Sequence, residues 1–256
     1  MKPLPPILTL LALCLTTFGE SEKIQELLKK AEQGSPEAQH ELGVAYLNGP
    51  VSFRIKAIKW LTSAGELGHI GAQYLLGDLY QRSYAKVPGL RGNLSASVKW
   101  YNSAAEGGDL KAQLALAGIY GRGARGISKD TLLSEKWQAR ATKQYLQMAE
   151  KGDVDAQYIV GGYYERGWGG LKSDRAKALE WYERSAMQGH EDAMIRCYIL
   201  IGSKDQLMSY AWKLTAHYFG KGLSGRNSHL NREQQLKAEK LSKELVKQIE
   251  AGKGKE

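Results

Sequence analysis

The sequence predicts an all-α protein, a right-handed α-solenoid of about five helix-turn-helix repeats, and three observations lead to this prediction. A frame of Ala, Gly and Tyr residues occurs five times along the 256 residues, at separations of 34 to 44 residues. Between its copies, tryptophans are followed four residues later by a small residue, which is a helical spacing. The 29 Gly and only 6 Pro indicate frequent breaks that proline does not make. Tandem repeats of this length are typical of solenoids.

Residues 1–19 are predicted to form a signal peptide that is not part of the fold. Lys2 precedes an apolar run over residues 7–15, and charged residues begin at Glu20. The run is shorter than the roughly 20 residues that a membrane-spanning helix needs, and it is typical of a secretory signal. Cleavage after Gly19 would make the mature chain a periplasmic or secreted protein without a transmembrane segment.

Two alternatives compete with a cleaved signal. A lipoprotein anchor at Cys14 is disfavoured, because Leu13 stands where such signals have a small residue. A buried N-terminal helix is disfavoured by the prolines at its start, Pro3, Pro5 and Pro6. Removal of the signal leaves Cys197 as the single cysteine of the mature chain, which excludes an intramolecular disulfide.

Residues 20–34 are predicted to form an N-terminal helix, and residues 35–220 form the repeats. The first helix of each repeat, helix A, follows the frame Ala-x-x-Gly-x-x-x-Ala-x-x-x-x-Gly-x-x-Tyr. Its first glycine, the anchor glycine, is expected to end the preceding helix in a left-handed conformation. The anchor glycines are Gly34, Gly68, Gly108, Gly152 and Gly189. The next residue is a good N-cap in three copies, Ser35, Asp109 and Asp153.

The second helix of each repeat, helix B, is predicted from a tryptophan with small residues three before and four after it. These tryptophans are Trp60, Trp100, Trp181 and Trp212. The stripe lies on one helical face, so the tryptophans are expected in the core. The third helix B is predicted to be longer, over residues 130–149, with Tyr145 near the tryptophan position.

Residues 221–256 are predicted to contain a linker, a charged C-terminal capping helix over residues 231–250 and a mobile tail. Leu236, Leu241, Leu245 and Ile249 lie on one side of that helix. The terminal units of a repeat protein need a polar outer face, which this helix would provide.

The two frames resemble the Sel1-like repeat, a relative of the tetratricopeptide repeat, over residues 22–220. The third and fifth copies depart from the pattern, with Ala117 and Tyr198 in place of the second glycine. The resemblance implies a scaffold for protein interactions, with helix A on the inner wall of the solenoid. Some bacterial relatives are linked to β-lactam binding or hydrolysis, so a β-lactam-related hydrolase is an alternative function.

The sequence does not favour an enzyme, a cofactor or a metal site. The five histidines lack the spacing of metal ligands, and His69 and His190 occupy the turn position after an anchor glycine. The Gly-rich run over residues 121–126 lacks the Gly-Lys-Ser/Thr of a phosphate loop. A single S-x-x-K, from Ser83 to Lys86, has no further β-lactamase motif beside it.

The net charge of +9 favours acidic partners in general. Nucleic acid is not favoured, because basic and acidic residues are interleaved rather than clustered on a stripe. Binding of an acidic polymer remains a further alternative.

The predicted function is capture of a protein or peptide partner in a groove of the solenoid. When helix A is projected at about 100° per residue, the third and seventh residues, counted from the second Ala of the frame, point away from the packed face. A row of such residues would accept an extended segment or a helix. The candidate partner-binding residues are His40, Tyr74, Asp78, Leu114, Tyr158 and Ile195, with Trp168 from a loop outside the repeat stripes. The alternative for the tyrosines is packing against the next helix A.

Overall fold

The computed structural model describes residues 18–82, 93–124, 126–221 and 230–253, and these residues form twelve α-helices, a short 3-10 turn and no strand. The helices divide into two compact units, one up to Trp137 and one from Gln138 onward. In chain order they are α1 (Phe18–Glu32), α2 (Pro36–Asn48), α3 (Arg54–Glu66), α4 (Ile70–Gln81), α5 (Leu94–Glu106), α6 (Leu110–Arg122), α7 (Thr131–Glu150), α8 (Val154–Arg166), α9 (Arg175–Met187), α10 (Glu191–Ile201), α11 (Gln206–Tyr218) and α12 (Arg232–Lys253).

Five helix pairs follow one another as predicted. Helix A of the successive pairs is α2, α4, α6, α8 and α10, and helix B is α3, α5, α7, α9 and α11. Helix α1 precedes the first pair and α12 follows the last. The all-α fold of tandem helix pairs with an additional helix at each end is therefore confirmed.

The anchor glycines make the turn between each helix B and the next helix A. All five have φ between +88° and +100°, a range that L residues with a side chain rarely adopt. The residue after each glycine donates its backbone N–H to the carbonyl five residues earlier, as His69 does to Ala64 at 2.9 Å. This is the Schellman pattern that ends a helix. Gly220 closes α11 in the same way.

All five residues after the anchor glycines are N-caps. Ser35, Asp109 and Asp153 accept a hydrogen bond from the backbone N–H three residues on, as predicted. The two histidines do the same through Nδ1, His69 from Ala72 and His190 from Ala193, at 3.1 and 3.2 Å. The prediction of a turn for these histidines was therefore incomplete, because each side chain also begins a helix.

The core of each pair is built from helix A residues of the frame and from helix B. The second Ala of the frame and the apolar residue four positions later are buried in every copy. The apolar residues are Leu42, Leu76, Leu116, Val160 and Cys197. A glutamine next to that Ala is also buried in four copies. Its Nε2 donates to a carbonyl in the last turn of the preceding helix, from Gln39, Gln73, Gln113 and Gln157 at 2.9 to 3.2 Å.

The second glycine of the frame lies directly under a large side chain of helix B. A Cβ on Gly77 would come within 2.5 Å of the Tyr101 ring, and one on Gly161 within 2.8 Å of the Tyr182 ring. Leu61 plays this part above Gly43. Glycine is required there because the side chain of helix B rests on the backbone of helix A.

The predicted tryptophan stripe is wrong in its register for three of the four copies. Trp60, Trp100 and Trp181 are only partly buried, whereas Trp212 is in the core. The fully buried residue follows the tryptophan in those three copies, as Leu61, Tyr101 and Tyr182. The tryptophan therefore packs at the edge of the interface, and its neighbour fills the space against helix A.

Helix α7 contains a tryptophan that the sequence prediction did not assign to the stripe. Trp137 is 2% exposed, and Ser134 and Ala141 stand three before and four after it. The Ser134 hydroxyl donates to the carbonyl of Ala117 at 2.8 Å, as Ser97 donates to Gly77 at 2.7 Å in the preceding pair. In this copy Trp137, and not Tyr145, therefore occupies the tryptophan position of helix B.

The two ends of the chain differ in detail from the prediction. Helix α1 begins at Phe18, inside the segment assigned to the signal, and residues 1–17 lie outside the described part of the chain. At the other end, Asn231 caps α12 and the helix continues to Lys253. Residues 251–253 are thus helical rather than part of a mobile tail, and residues 222–229 and 254–256 are outside the described part.

Candidate functional site

The residues predicted to bind a partner on helix A are half-buried, and several stack on the next repeat. His40 stacks on His69 with ring centroids 4.2 Å apart, and Tyr158 stacks on His190 at 4.5 Å. In both cases the second ring of the stack belongs to the N-cap histidine of the following helix A. The third position of one helix A therefore lies beside the start of the next, where one face or edge of each ring stays exposed.

Tyr74 contacts helix B of its own pair and also the next helix A, which is the contact named as the alternative for the tyrosines. Its ring lies 5.9 Å from that of Tyr101, and the Lys111 ammonium is 5.9 Å from its centroid. Asp78, one turn on, accepts a hydrogen bond from Arg82 at 2.7 Å. Leu114, on the next helix A, is also half-buried. Because these side chains are half-buried, only a part of each is accessible to a partner.

A pocket of about 250 Å³ lies in the second unit around Tyr158. We call it the Tyr158 pocket, and it is lined by Tyr145, Tyr158, Ile159, Gly162, Tyr163, Arg166 and Tyr182. Tyr145 comes from α7, Tyr182 from α9 and the others from α8. The partly buried rings of Tyr145, Tyr158 and Tyr163 thus line one concave surface, together with the almost fully buried ring of Tyr182.

The aromatic rings of the pocket hold one another in place. Tyr158 and Tyr182 are 5.5 Å apart in a tilted arrangement, and Tyr145 meets Tyr163 edge-on at 5.9 Å. Edge-on and tilted pairs are the favourable geometries for aromatic rings. Gly162 leaves the floor of the pocket open, since it has no side chain between the Tyr182 hydroxyl and the Arg166 guanidinium.

A polar network supports the pocket from behind. The Tyr182 hydroxyl donates to Glu165 at 2.8 Å, and Arg196 lies 3.5 Å from the same carboxylate. The Arg196 guanidinium also lies beside the Tyr158 hydroxyl. Burial, together with the hydrogen bond to Glu165, raises the pKa of Tyr182 well above its usual range. Both charges of the Glu165–Arg196 pair are therefore committed within the fold.

Trp168 lies in the loop that follows α8, next to the Tyr158 pocket in the sequence and in contact with one of its residues. Its side chain is 57% exposed, and the Arg166 guanidinium lies 5.1 Å from its ring centroid. Gly167 ends α8 in the left-handed conformation and turns the chain so that this contact forms. Trp168 and the pocket are therefore joined through Arg166.

Ile195 is the predicted residue on the last helix A. It is partly buried and packs against the core of the last helix pairs. Ile199, one turn later, is 47% exposed and borders a separate pocket of about 360 Å³ with Tyr198 and Leu230.

Sequence reasoning missed four members of the Tyr158 pocket: Tyr145, Tyr163, Arg166 and Tyr182. The helical projection considered helix A alone, and Tyr145 and Tyr182 come from helix B. Tyr163 and Arg166 were hidden by their positions near the end of α8. The usable signal was the run of tyrosines itself, since Tyr158, Tyr163 and Tyr164 fall within one helix.

No group of three or more metal-binding side chains comes together among the described residues. The Cys197 thiol is buried, and burial raises its pKa far above the usual range, which leaves it a poor nucleophile. Ser83 and Lys86 lie outside the described residues. None of the described helices has the length and apolar character that a membrane span requires.

The repeats match a known family over more than half of the chain. The model of the Sel1 repeat matches four times, at residues 36–69, 70–109, 110–146 and 154–190. The chain belongs to the Sel1 repeat family. The matches coincide with the first four helix pairs, each of which begins at an N-capped helix A. Sel1 repeat proteins generally act as scaffolds for protein–protein interactions, and their helical fold is generally non-catalytic.

Solved structures agree with this assignment. A protective antigen of uropathogenic Escherichia coli strains that displays an SLR fold matches with a TM-score of 0.57 and 29% identity, over 88% of this chain and 49% of that one. A Sel1 repeat protein from Oxalobacter formigenes matches with a TM-score of 0.52 and 23% identity, over 82% of this chain and 69% of that one. The predicted all-α solenoid is thus confirmed as a Sel1 fold. The chain spans about half the length of the Escherichia coli relative, and no curated protein matches it.

Proposed function

We propose that this Sel1 repeat protein is a scaffold or regulator that binds a peptide or protein partner, with the Tyr158 pocket and Trp168 as the main contact in the second unit. The observation that carries the proposal is a pocket lined by four tyrosines, three of them partly exposed, that is joined through Arg166 to an exposed tryptophan. Tyr, Trp and Arg are the residues in which binding energy concentrates at protein interfaces.

The packing around the pocket explains why it suits binding rather than stability. The rings are fixed by contacts with each other and by the Glu165–Arg196 pair, so little side-chain entropy is lost when a partner binds. Trp168 is 57% exposed, so most of its ring lies outside the core and does not contribute to core packing. A partner that covered the ring would gain the burial of a large apolar surface.

Export is part of the same proposal. The apolar run over residues 7–15 supports a secretory signal, and a periplasmic or secreted protein would meet its partner outside the cytoplasm. We propose no catalytic role and no cofactor, in keeping with the family.

Site-specific photo-crosslinking tests the proposed binding surface. A photoreactive phenylalanine analogue placed at Trp168 in the full chain is expected to trap the same partner protein repeatedly in cells. Leu132 is a matched control, because it is an exposed apolar residue on helix B at 79% exposure. The expected result is one product from position 168 that is absent at position 132. Equal products from both positions, or none from position 168, would contradict the proposal.

A further inference from the structure

We infer that the Tyr158 pocket binds the C-terminal residue of the partner, taking its apolar side chain between the tyrosine rings and its free carboxylate at Arg166. This inference rests on the proposed function and names the chemistry of the group that enters the pocket. The charge, the hydrogen-bond donors and the size of the pocket support it.

The one charged side chain in the lining of the pocket is positive. Arg166 is its only ionisable group besides the tyrosines, and the lining contains no carboxylate. Among the described residues Arg166 has no ion-pair partner; its guanidinium contacts the Trp168 ring instead. The nearby carboxylate of Glu165 already accepts from Tyr182 and faces Arg196. An incoming carboxylate would therefore meet an arginine whose charge is not neutralised, and a guanidinium can bind a carboxylate through two N–H groups.

Two tyrosine hydroxyls of the lining remain available as donors. Tyr145 and Tyr163 form no hydrogen bond within the described part of the chain, and both hydroxyls belong to side chains in the pocket. Burial raises the pKa of both groups, so each keeps its proton at neutral pH. Neutral hydroxyls beside an arginine favour an acceptor group such as a carboxylate.

The size and the walls favour a single chain terminus. At about 250 Å³ the pocket has the volume of roughly eight waters, which is smaller than a typical drug-sized site. Ring faces and Ile159 form apolar walls, and Gly162 leaves room at the floor. A C-terminal residue places an apolar side chain and a carboxylate on the same Cα, and so matches apolar walls next to an arginine. An internal Asp or Glu has few apolar atoms for these walls.

Arg166 is held at the mouth by the loop tryptophan. The guanidinium stacks on the Trp168 ring, and this cation–π contact limits the rotamers of a long side chain without using its hydrogen-bond donors. The stack therefore orients Arg166 toward a ligand and leaves its N–H groups free to bind a carboxylate.

Affinity selection with two peptide libraries tests the inference. The immobilised full chain is offered random octapeptides with a free C-terminal carboxylate and, separately, the same octapeptides with a C-terminal amide, and bound peptides are identified by mass spectrometry. The free-acid library is expected to yield peptides ending in Leu, Ile, Val or Phe. Their amidated forms should bind at least tenfold more weakly in a titration, and R166Q should lose this acid-to-amide difference.

The control variant is R184Q. Arg184 stacks on Trp181 at 4.5 Å in the same way but does not line the pocket, so the acid-to-amide ratio should be unchanged. Selected peptides that bind equally as acids and amides, or that share an internal Asp or Glu, would overturn the inference. If Tyr158→Ala still weakened the binding of those peptides, the proposed binding site would nevertheless be supported. Absence of enrichment from both libraries would also overturn the inference, and the crosslinking result at Trp168 would then decide the proposed function separately.

Discussion

At the scale of single residues, the most informative position is the second glycine of the Sel1 frame. Gly77 and Gly161 lie under the rings of Tyr101 and Tyr182, and no Cβ fits there. The third copy has Ala117 at this position. Its tryptophan, Trp137, is followed by glutamine rather than tyrosine, so the copy that lost the glycine also lacks the ring that requires it.

Gly77→Ala is therefore expected to destabilise the protein by about 1–3 kcal/mol, because the new methyl group overlaps the Tyr101 ring. Gly118→Ala is the matched control. It is also a glycine inside a helix A, but a Cβ there would meet only the flexible end of Arg122 at 3.4 Å. That variant should gain about 0.4–1 kcal/mol. Denaturant unfolding of both variants checks the pair, and equal effects would refute the packing argument.

His40 makes stability depend on pH. Burial, and then the positive charge of nearby His69, lower the pKa of His40 below its ordinary value of 6.5, while Glu41 opposes this. The folded chain therefore binds its proton less readily than the unfolded chain, and stability falls as pH drops through the unfolded pKa. His40→Gln should reduce the loss of melting temperature between pH 7.5 and pH 5.5. An unchanged pH slope would show that His40 does not contribute.

At the scale of elements, α7 differs from the other helix B segments. It has 20 residues, whereas α3, α5, α9 and α11 have 13 each. The first part carries Trp137 against the core of the first unit, and Tyr145 and Leu146 pack in the second.

Trp137→Ala should cost about 3–5 kcal/mol, since the indole is almost fully buried. Trp100→Ala should cost clearly less, because that ring lies at the edge of the cluster around Leu76. Chemical denaturation of the two variants gives the comparison. A larger cost for Trp100 would restore the tryptophan stripe as the core of helix B.

The elements were largely predictable from the sequence because glycine and the N-caps act locally. Each anchor glycine sits at a left-handed turn, and each frame begins a helix, so the boundaries follow from short segments. The interior of helix B was not predictable to the residue. Trp100 and Tyr101 are both aromatic and adjacent, and only the position of Gly77 shows which one is buried.

The candidate site was less predictable than the fold, for a physical reason. Tyr158 and Trp168 were identified from their own helix and loop, but the pocket also needs Tyr145 and Tyr182 from two other helices. Their convergence depends on how the helices pack. The stacking of Tyr158 on His190 joins two repeats in the same way, and it could not be inferred from a projection of one helix.

At the scale of the whole molecule, the N-terminal apolar run is the feature that bears on export. Deletion of residues 2–19 is expected to retain the protein in the cytoplasm, because this segment contains the proposed export signal. Cell fractionation checks the result against the full chain. Export of full-length, uncut protein would contradict a cleavable signal.

Partner binding by the whole molecule is expected to depend on the Tyr158 pocket and Trp168, while the other parts of the helix pairs hold this site in place. The most direct test measures the affinity of the crosslinked partner for Trp168→Ala together with the melting temperature of the variant. The predicted result is a loss of about 2 kcal/mol, roughly 30-fold in Kd, without a change in melting temperature. Undiminished affinity in a folded variant would contradict the claim.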